Sequence, residues 1–104
     1  IVGDLKLKNF KHIIFNNGAH DSVGGQPTIG FDIEFGNIAK AFNYAKVFRI
    51  EKLVDFEQVF MDFKNQSGPC LLEIVVNKGA RKELGRPTVS PKENKLDFMS
   101  FIQK

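Results

Sequence analysis

The stretch that decides the fold runs from His12 to Thr28 and reads HIIFNNGAHDSVGGQPT. Ile13, Ile14 and Phe15 form a short apolar run that stops at two asparagines, and a loop rich in glycine (Gly18, Gly24, Gly25) follows. An apolar run bounded in this way reads as a buried strand, Lys11–Asn16, that ends in exposed backbone. In an open α/β sheet, ligands gather beyond the carboxyl ends of the strands. Asn16 and Asn17 fall at that place, with His20, Asp21, Ser22 and Gln26 close behind them.

Working outward, strands and helices alternate. From about Glu34 to Asn43, the residues Phe35, Ile38, Ala39 and Phe42 are spaced as one face of a helix. Tyr44 to Ile50 alternates and is rich in strand formers. Asp55 fits a helix N-cap, with Gln58 completing a capping box and Val54 against Val59 as a hydrophobic staple. That helix is expected to reach about Asn65, to bury Phe56, Val59, Phe60 and Phe63, and to end by chain reversal at Ser67-Gly68-Pro69. Cys70 to Val76, CLLEIVV, reads as a strand covered on both faces. Asn77 to Val89 reads as an ordered loop. Ser90-Pro91-Lys92-Glu93 then opens a last helix, Pro91 to about Gln103, with Leu96, Met99 and Phe101 or Ile102 on its buried side. Alternating strands and helices imply parallel βαβ units with right-handed crossovers. The fold class expected is α/β, a three-layer α/β/α arrangement around a parallel sheet.

The 104 residues allow one domain at most, with a core rich in phenylalanine, since eleven Phe and no Trp are present. No apolar run approaches the ~20 residues of a membrane helix. The start, IVGDLKLKNF, lacks the apolar core of a signal peptide. A single cysteine, Cys70, excludes an internal disulfide and suits a reducing compartment, so a cytoplasmic protein is expected. The net charge of +3 is modest, and its one local group, Lys78, Arg81, Lys82 and Arg86, suits a small anion rather than a nucleic acid. Ile1 to Lys8 reads as the tail of an element whose beginning lies elsewhere, so a piece of a longer chain is expected.

Several side chains can do chemistry. The amide oxygen of Asn17 is a good ligand for a hard cation, and the loop after it can offer a backbone carbonyl and approach a diphosphate; the pair also reads simply as a strand's end. His20, beside Asp21, can donate or accept a proton, or be a solvated loop residue. Arg81 and Arg86 can clamp an anion or serve the connection's own structure. Cys70 opens a buried strand and is a poor nucleophile candidate. No Cys/His metal spacing, Walker loop or GxSxG elbow is present.

Taken together, NNGAHDSVGGQPT and KGARKELGRPTVSPKENK resemble the thiamine-diphosphate-dependent decarboxylase family, from Phe10 to the last helix. The Asn-Asn ending is general to that family. HDSVGGQ combined with GAR…LGRP narrows the resemblance to the branch acting on a phosphonate 2-oxoacid, with the sulfonate branch as the alternative. The resemblance implies that residues 1–104 are the carboxyl-terminal portion of the domain that binds thiamine diphosphate through Mg²⁺. It implies Asn17 as a metal ligand through its side chain and Ala19 through its carbonyl. Gly18, His20, Asp21 and Ser22 would line the diphosphate and thiazolium side of the site. His20 and Asp21 are the catalytic candidates, and Arg81 and Arg86 the candidates for the substrate's anion or for the loop's own structure. The reaction implied is loss of CO₂ from 3-phosphonopyruvate to give phosphonoacetaldehyde, the hard chemistry being the cofactor's.

One departure stands out. The family's metal motif begins with Gly-Asp-Gly, two dozen or more residues before the asparagine pair. Here Gly3-Asp4 is followed by Leu5, and Asp4 lies only 13 positions before Asn17. It is not that motif, and the cofactor-activating part of the parent enzyme is absent too. The chain alone is therefore expected to be inactive and to hold Mg²⁺ poorly. Its open sheet edge is expected to favour self-association, and the family's sites lie between subunits, so a homo-oligomer is expected. A non-catalytic α/β interaction module is the alternative from another class.

Overall fold

A computed structural model describes residues 2–103; Ile1, the first residue of the expected tail, lies outside the described residues. The elements are β1 (Lys11–Asn16), β2 (Ala19–His20), β3 (Gln26–Pro27), α1 (Phe35–Ala41), β4 (Lys46–Ile50), α2 (Phe56–Asn65), β5 (Cys70–Val75) and α3 (Pro91–Ile102). Strands β1, β5 and β4 form a three-stranded parallel sheet in that order. The chain crosses from β1 to the far edge and then returns to the middle. Right-handed crossovers in opposite directions put their helices on opposite faces, and α2 and α1 lie on opposite faces here.

Strand alternation divides β5 between the two faces. Cys70, Leu72 and Ile74 point to one side, where Phe63 of α2 and Ile50 of β4 close the core. The rings of Phe48 and Phe63 meet edge to face, centroids 5.8 Å apart. Leu71 points to the other side, where Ile38 and Ala39 of α1 and His12 and Ile14 of β1 line an apolar cavity of about 290 Å³. Close approach of α1 is helped by Gly36, where an added Cβ would lie 3.0 Å from Val47.

Helix α1 stops at Ala41 because Asn43 takes a left-handed conformation, φ 64°. The Asn43 N–H then donates to the Lys40 carbonyl and the Tyr44 N–H to the Ala39 carbonyl, both at 3.0 Å, which satisfies carbonyls that a helix end leaves orphaned. That cap uses Tyr44, so β4 starts at Lys46 and is shorter than the expected Tyr44–Ile50.

Two expectations are corrected. Asp55 does not cap α2: it lies in helical conformation at the end of a 3₁₀ turn, Leu53–Asp55, and its side chain makes no capping bond. The turn itself precedes the helix, so Gln58 is free to donate to Asp62 at 3.0 Å. Val54 is 85% exposed and staples nothing, and Phe56 stays exposed, stacked on Phe60. The second correction is α3. Its start is as read, with Ser90, Pro91 and Glu93 forming a complete capping box, yet Leu96, Met99, Phe101 and Ile102 are all exposed. Its apolar residues are scattered around the helix rather than gathered in a stripe, so no single face is made for burial. Cα atoms accordingly spread to a radius of gyration of 17.2 Å, against roughly 13 Å for a compact chain of this length.

Candidate functional site

The carboxyl ends of β1 and β5 are neighbours, and the loops leaving them enclose a cleft of about 470 Å³. Asn17, Gly18 and Ala19 line it from the first loop, Gly25, Pro27 and Phe31 from farther along that loop, and Val76, Asn77 and Lys78 from the end of β5. The glycine-rich segment is an ordered hairpin, with Ala19 and His20 paired to Pro27 and Gln26. A 3₁₀ turn, Asp21–Val23, is closed by Gly24 and Gly25, both at positive φ. Short pairing of this kind has no periodic signature; the Gly-Gly pair was its only trace in the sequence.

Asn16 holds the neck of this loop. Its Nδ2 donates to the Gly30 carbonyl and to Glu73 Oε1, each at 2.7 Å, and its Oδ1 accepts from the Gly18 N–H at 3.1 Å. The Thr28 N–H adds a bond to the Gly18 carbonyl at 2.9 Å. Asn16 is 6% exposed and Glu73, on the central strand, 2%. Glu73 Oε2 lies 3.7 Å from Arg49 Nε, which also pairs with Glu51 at 2.9 Å. Neither Glu73 nor Arg49 was singled out from sequence; the Glu inside CLLEIVV was the available signal.

Asn17 is half-buried at the mouth of the cleft. Its Oδ1 accepts from the Ala19 N–H at 3.0 Å and its Nδ2 donates to Asp21 Oδ2 at 2.8 Å. That Asp21 oxygen also accepts from the Gly79 N–H at 3.0 Å, and Lys78 Nζ donates to the Gly25 carbonyl. The two loops are thereby fastened to each other. Gly18, at φ 61°, lies against Phe31: an added Cβ would come within 2.3 Å of the ring.

The structure therefore brings together Asn17, Gly18, Ala19 and Asp21, with Lys78 as the cation that meets them. His20 and Ser22 are exposed on the hairpin and its turn. Arg81 and Arg86 are exposed on the connection after β5 and form no ion pair among the described residues. His12 is far from the cleft, at the amino end of β1, bonded through Nδ1 to the Tyr44 hydroxyl at 3.0 Å. Gly3 sits at the same end, on the Phe42 carbonyl, which agrees with Gly3-Asp4 not being a metal motif.

Among the described residues no three His, Cys, Asp or Glu side chains gather around a common point. What the cleft offers a cation is oxygen from one side: the second lone pair of Asn17 Oδ1 and loop carbonyls. Such a set suits a hard ion that takes its remaining ligands from water and phosphate. No described helix is long and apolar enough to cross a membrane.

No model of a known protein family matches the chain. Two curated proteins do. Phosphonopyruvate decarboxylase of Streptomyces viridochromogenes is 32% identical over 101 residues, which take in 97% of this chain and 25% of that protein. Phosphonopyruvate decarboxylase of Streptomyces hygroscopicus is 33% identical over 93 residues, 89% of this chain and 23% of that protein. The chain spans about a quarter of the length of these relatives. Over that segment, which includes the first strand, the glycine-rich loop and the buried amide beneath it, the chain is similar to these two phosphonopyruvate decarboxylases.

Proposed function

We propose that the chain contributes the Mg²⁺- and diphosphate-holding loop of an enzyme that decarboxylates 3-phosphonopyruvate to phosphonoacetaldehyde and CO₂. The observation that carries this is the place of Asn17, its amide held at the mouth of a cleft at the carboxyl edge of a parallel sheet. The names of the relatives favour the phosphonate over the sulfonate substrate. Asn17 Oδ1 and the Ala19 carbonyl would hold the cation, and Gly18, His20 and Ser22 would border the diphosphate. Thiamine diphosphate, bound there, supplies the electron sink for the departing CO₂. His20, exposed beside the cleft, would deliver the proton that replaces CO₂ in the product. Asp21 would act by orienting Asn17 through the bond between their side chains. Arg81 and Arg86 would meet the substrate's phosphonate from the connection after β5.

The remaining parts of the site would come from the rest of the parent enzyme and from a second copy in a homo-oligomer. The free, buried thiol of Cys70 supports a cytoplasmic placement. Replacing Asn17 with Ala in the whole polypeptide tests the reading. A large loss of decarboxylation, partly restored by excess Mg²⁺, is expected. An unchanged rate would leave a non-catalytic interaction module as the better account.

A further inference from the structure

We infer that Glu73 is a positioning residue for the Asn17 loop, acting through Asn16; this rests on the reading of Asn17 as the cation-holding amide. Glu73 lies in the middle of the central strand, in an otherwise apolar run, and is 2% exposed. Burying a carboxyl there is costly unless its oxygens are bonded, and an apolar residue would pack the sheet at least as well. What the carboxyl adds is direction. It accepts from Asn16 Nδ2 at 2.7 Å, and that bond settles which way the Asn16 amide is turned.

With Nδ2 against Glu73, Asn16 Oδ1 is left to accept the Gly18 N–H, while the other Nδ2 hydrogen reaches the Gly30 carbonyl. Turned over, the amide would set oxygen against Glu73 and the Gly30 carbonyl, and nitrogen against the Gly18 N–H. All three bonds would be lost. The Gly18 N–H belongs to the peptide unit that joins Asn17 to Gly18. Glu73 therefore fixes the backbone from which the Asn17 side chain leaves, although no contact between Glu73 and the cleft exists. Gly30 closes the same neck, since a Cβ there would lie 2.8 Å from Asn16 Oδ1.

Amide hydrogen exchange on the whole polypeptide, without ligands, tests this for Glu73→Leu, Glu73→Gln and Asn16→Ala. The loss of one buried hydrogen-bonded neck should speed exchange across residues 17–30 about tenfold, with β4 and α2 unchanged. Glu73→Gln, which keeps an acceptor oxygen for Asn16, should recover most of the protection, and Asn16→Ala should repeat the loop-limited effect. Calorimetry with Mg²⁺ and thiamine diphosphate should show weaker metal-dependent binding in Glu73→Leu, by about tenfold or more. An unaltered loop, or exchange raised equally in every element, overturns the inference. If Glu73→Leu does not fold, the Asn16→Ala and Glu73→Gln pair decides it in the same way. Wild-type protein that binds neither probe would instead sink the reading of Asn17, leaving the exchange result to stand on its own.

Discussion

Asn17 and Asp21 are joined side chain to side chain, Nδ2 to Oδ2 at 2.8 Å, and the same Asp21 oxygen accepts the Gly79 N–H from across the cleft. One exposed carboxylate thus orients the amide and ties together the loops that follow β1 and β5. Removing it should matter more for the site than for the fold. Exposed hydrogen bonds contribute about 1 kcal/mol or less, so Asp21→Ala should lower stability only slightly. The Mg²⁺ concentration for half-maximal activity of the whole polypeptide should rise about tenfold, as when a partner of a metal ligand is removed. An unchanged Mg²⁺ requirement would show that Asn17 needs no such partner.

Gly18 and Gly24 both have positive φ but differ in surroundings. At Gly18 an added Cβ runs into the Phe31 ring, whereas at Gly24 nothing lies within 4 Å. Gly24→Ala should therefore cost only the left-handed backbone penalty, about 1 kcal/mol. Gly18→Ala should cost more, about 2 kcal/mol, because the ring must also move. Phe31→Ala added to Gly18→Ala should return part of the difference. Urea unfolding of the three variants measures this, and equal costs at the two glycines would refute it.

The sheet was legible because its signals are local and strong. The strand Lys11–Asn16 has the expected bounds, but it lies at the sheet's edge with Ile13 and Phe15 exposed rather than buried, because a local apolar run specifies a strand and not its neighbours. Cys70–Val75 is buried as expected and ends one residue before the expected Val76. Asn17 at a strand's tip was legible because its signal is local too. Asp55 misled because a good capping residue can equally well close a 3₁₀ turn, and only the preceding backbone decides between them. In α3 the capping box is a contact within four residues, whereas the burial of Leu96 or Phe101 needs a surface that no local pattern supplies. The bond between Asn16 and Glu73 spans 57 positions. It depends on β1 pairing beside β5, a register that had to be seen before the pair had any meaning.

The Ser90 side chain, and then its backbone N–H, hold the Glu93 carboxyl below the ordinary carboxylate value. A depressed folded value stabilises the helix above the unfolded pKa, and the contribution disappears as pH falls through the folded one. Helicity of Pro91–Ile102, followed by NMR, should accordingly be full at neutral pH and decline once pH drops below the usual carboxylate range. Glu93→Gln can still accept the Ser90 N–H but does not titrate. It should keep most of the helix and lose the acid-dependent step; a step that persists in Glu93→Gln would assign it to another group.

Phe15 on β1 is 68% exposed and Phe101 on α3 is 74% exposed. Ile13 joins Phe15 on the same face of an edge strand, and an edge of this kind offers unpaired backbone as well as apolar side chains to another chain. Water is a poor neighbour for both surfaces, and within one copy no described element covers either. The chain should therefore be a dimer or higher oligomer by light scattering at micromolar concentration. A lysine at an edge strand discourages pairing without touching the interior, so Phe15→Lys should shift the population toward monomer. Phe101→Glu should do so as well if α3 takes part, whereas a response to Phe15→Lys alone would locate the contact at the strand. A clean monomer in the unmodified chain would mean that neither surface is sticky enough to bind its own copy.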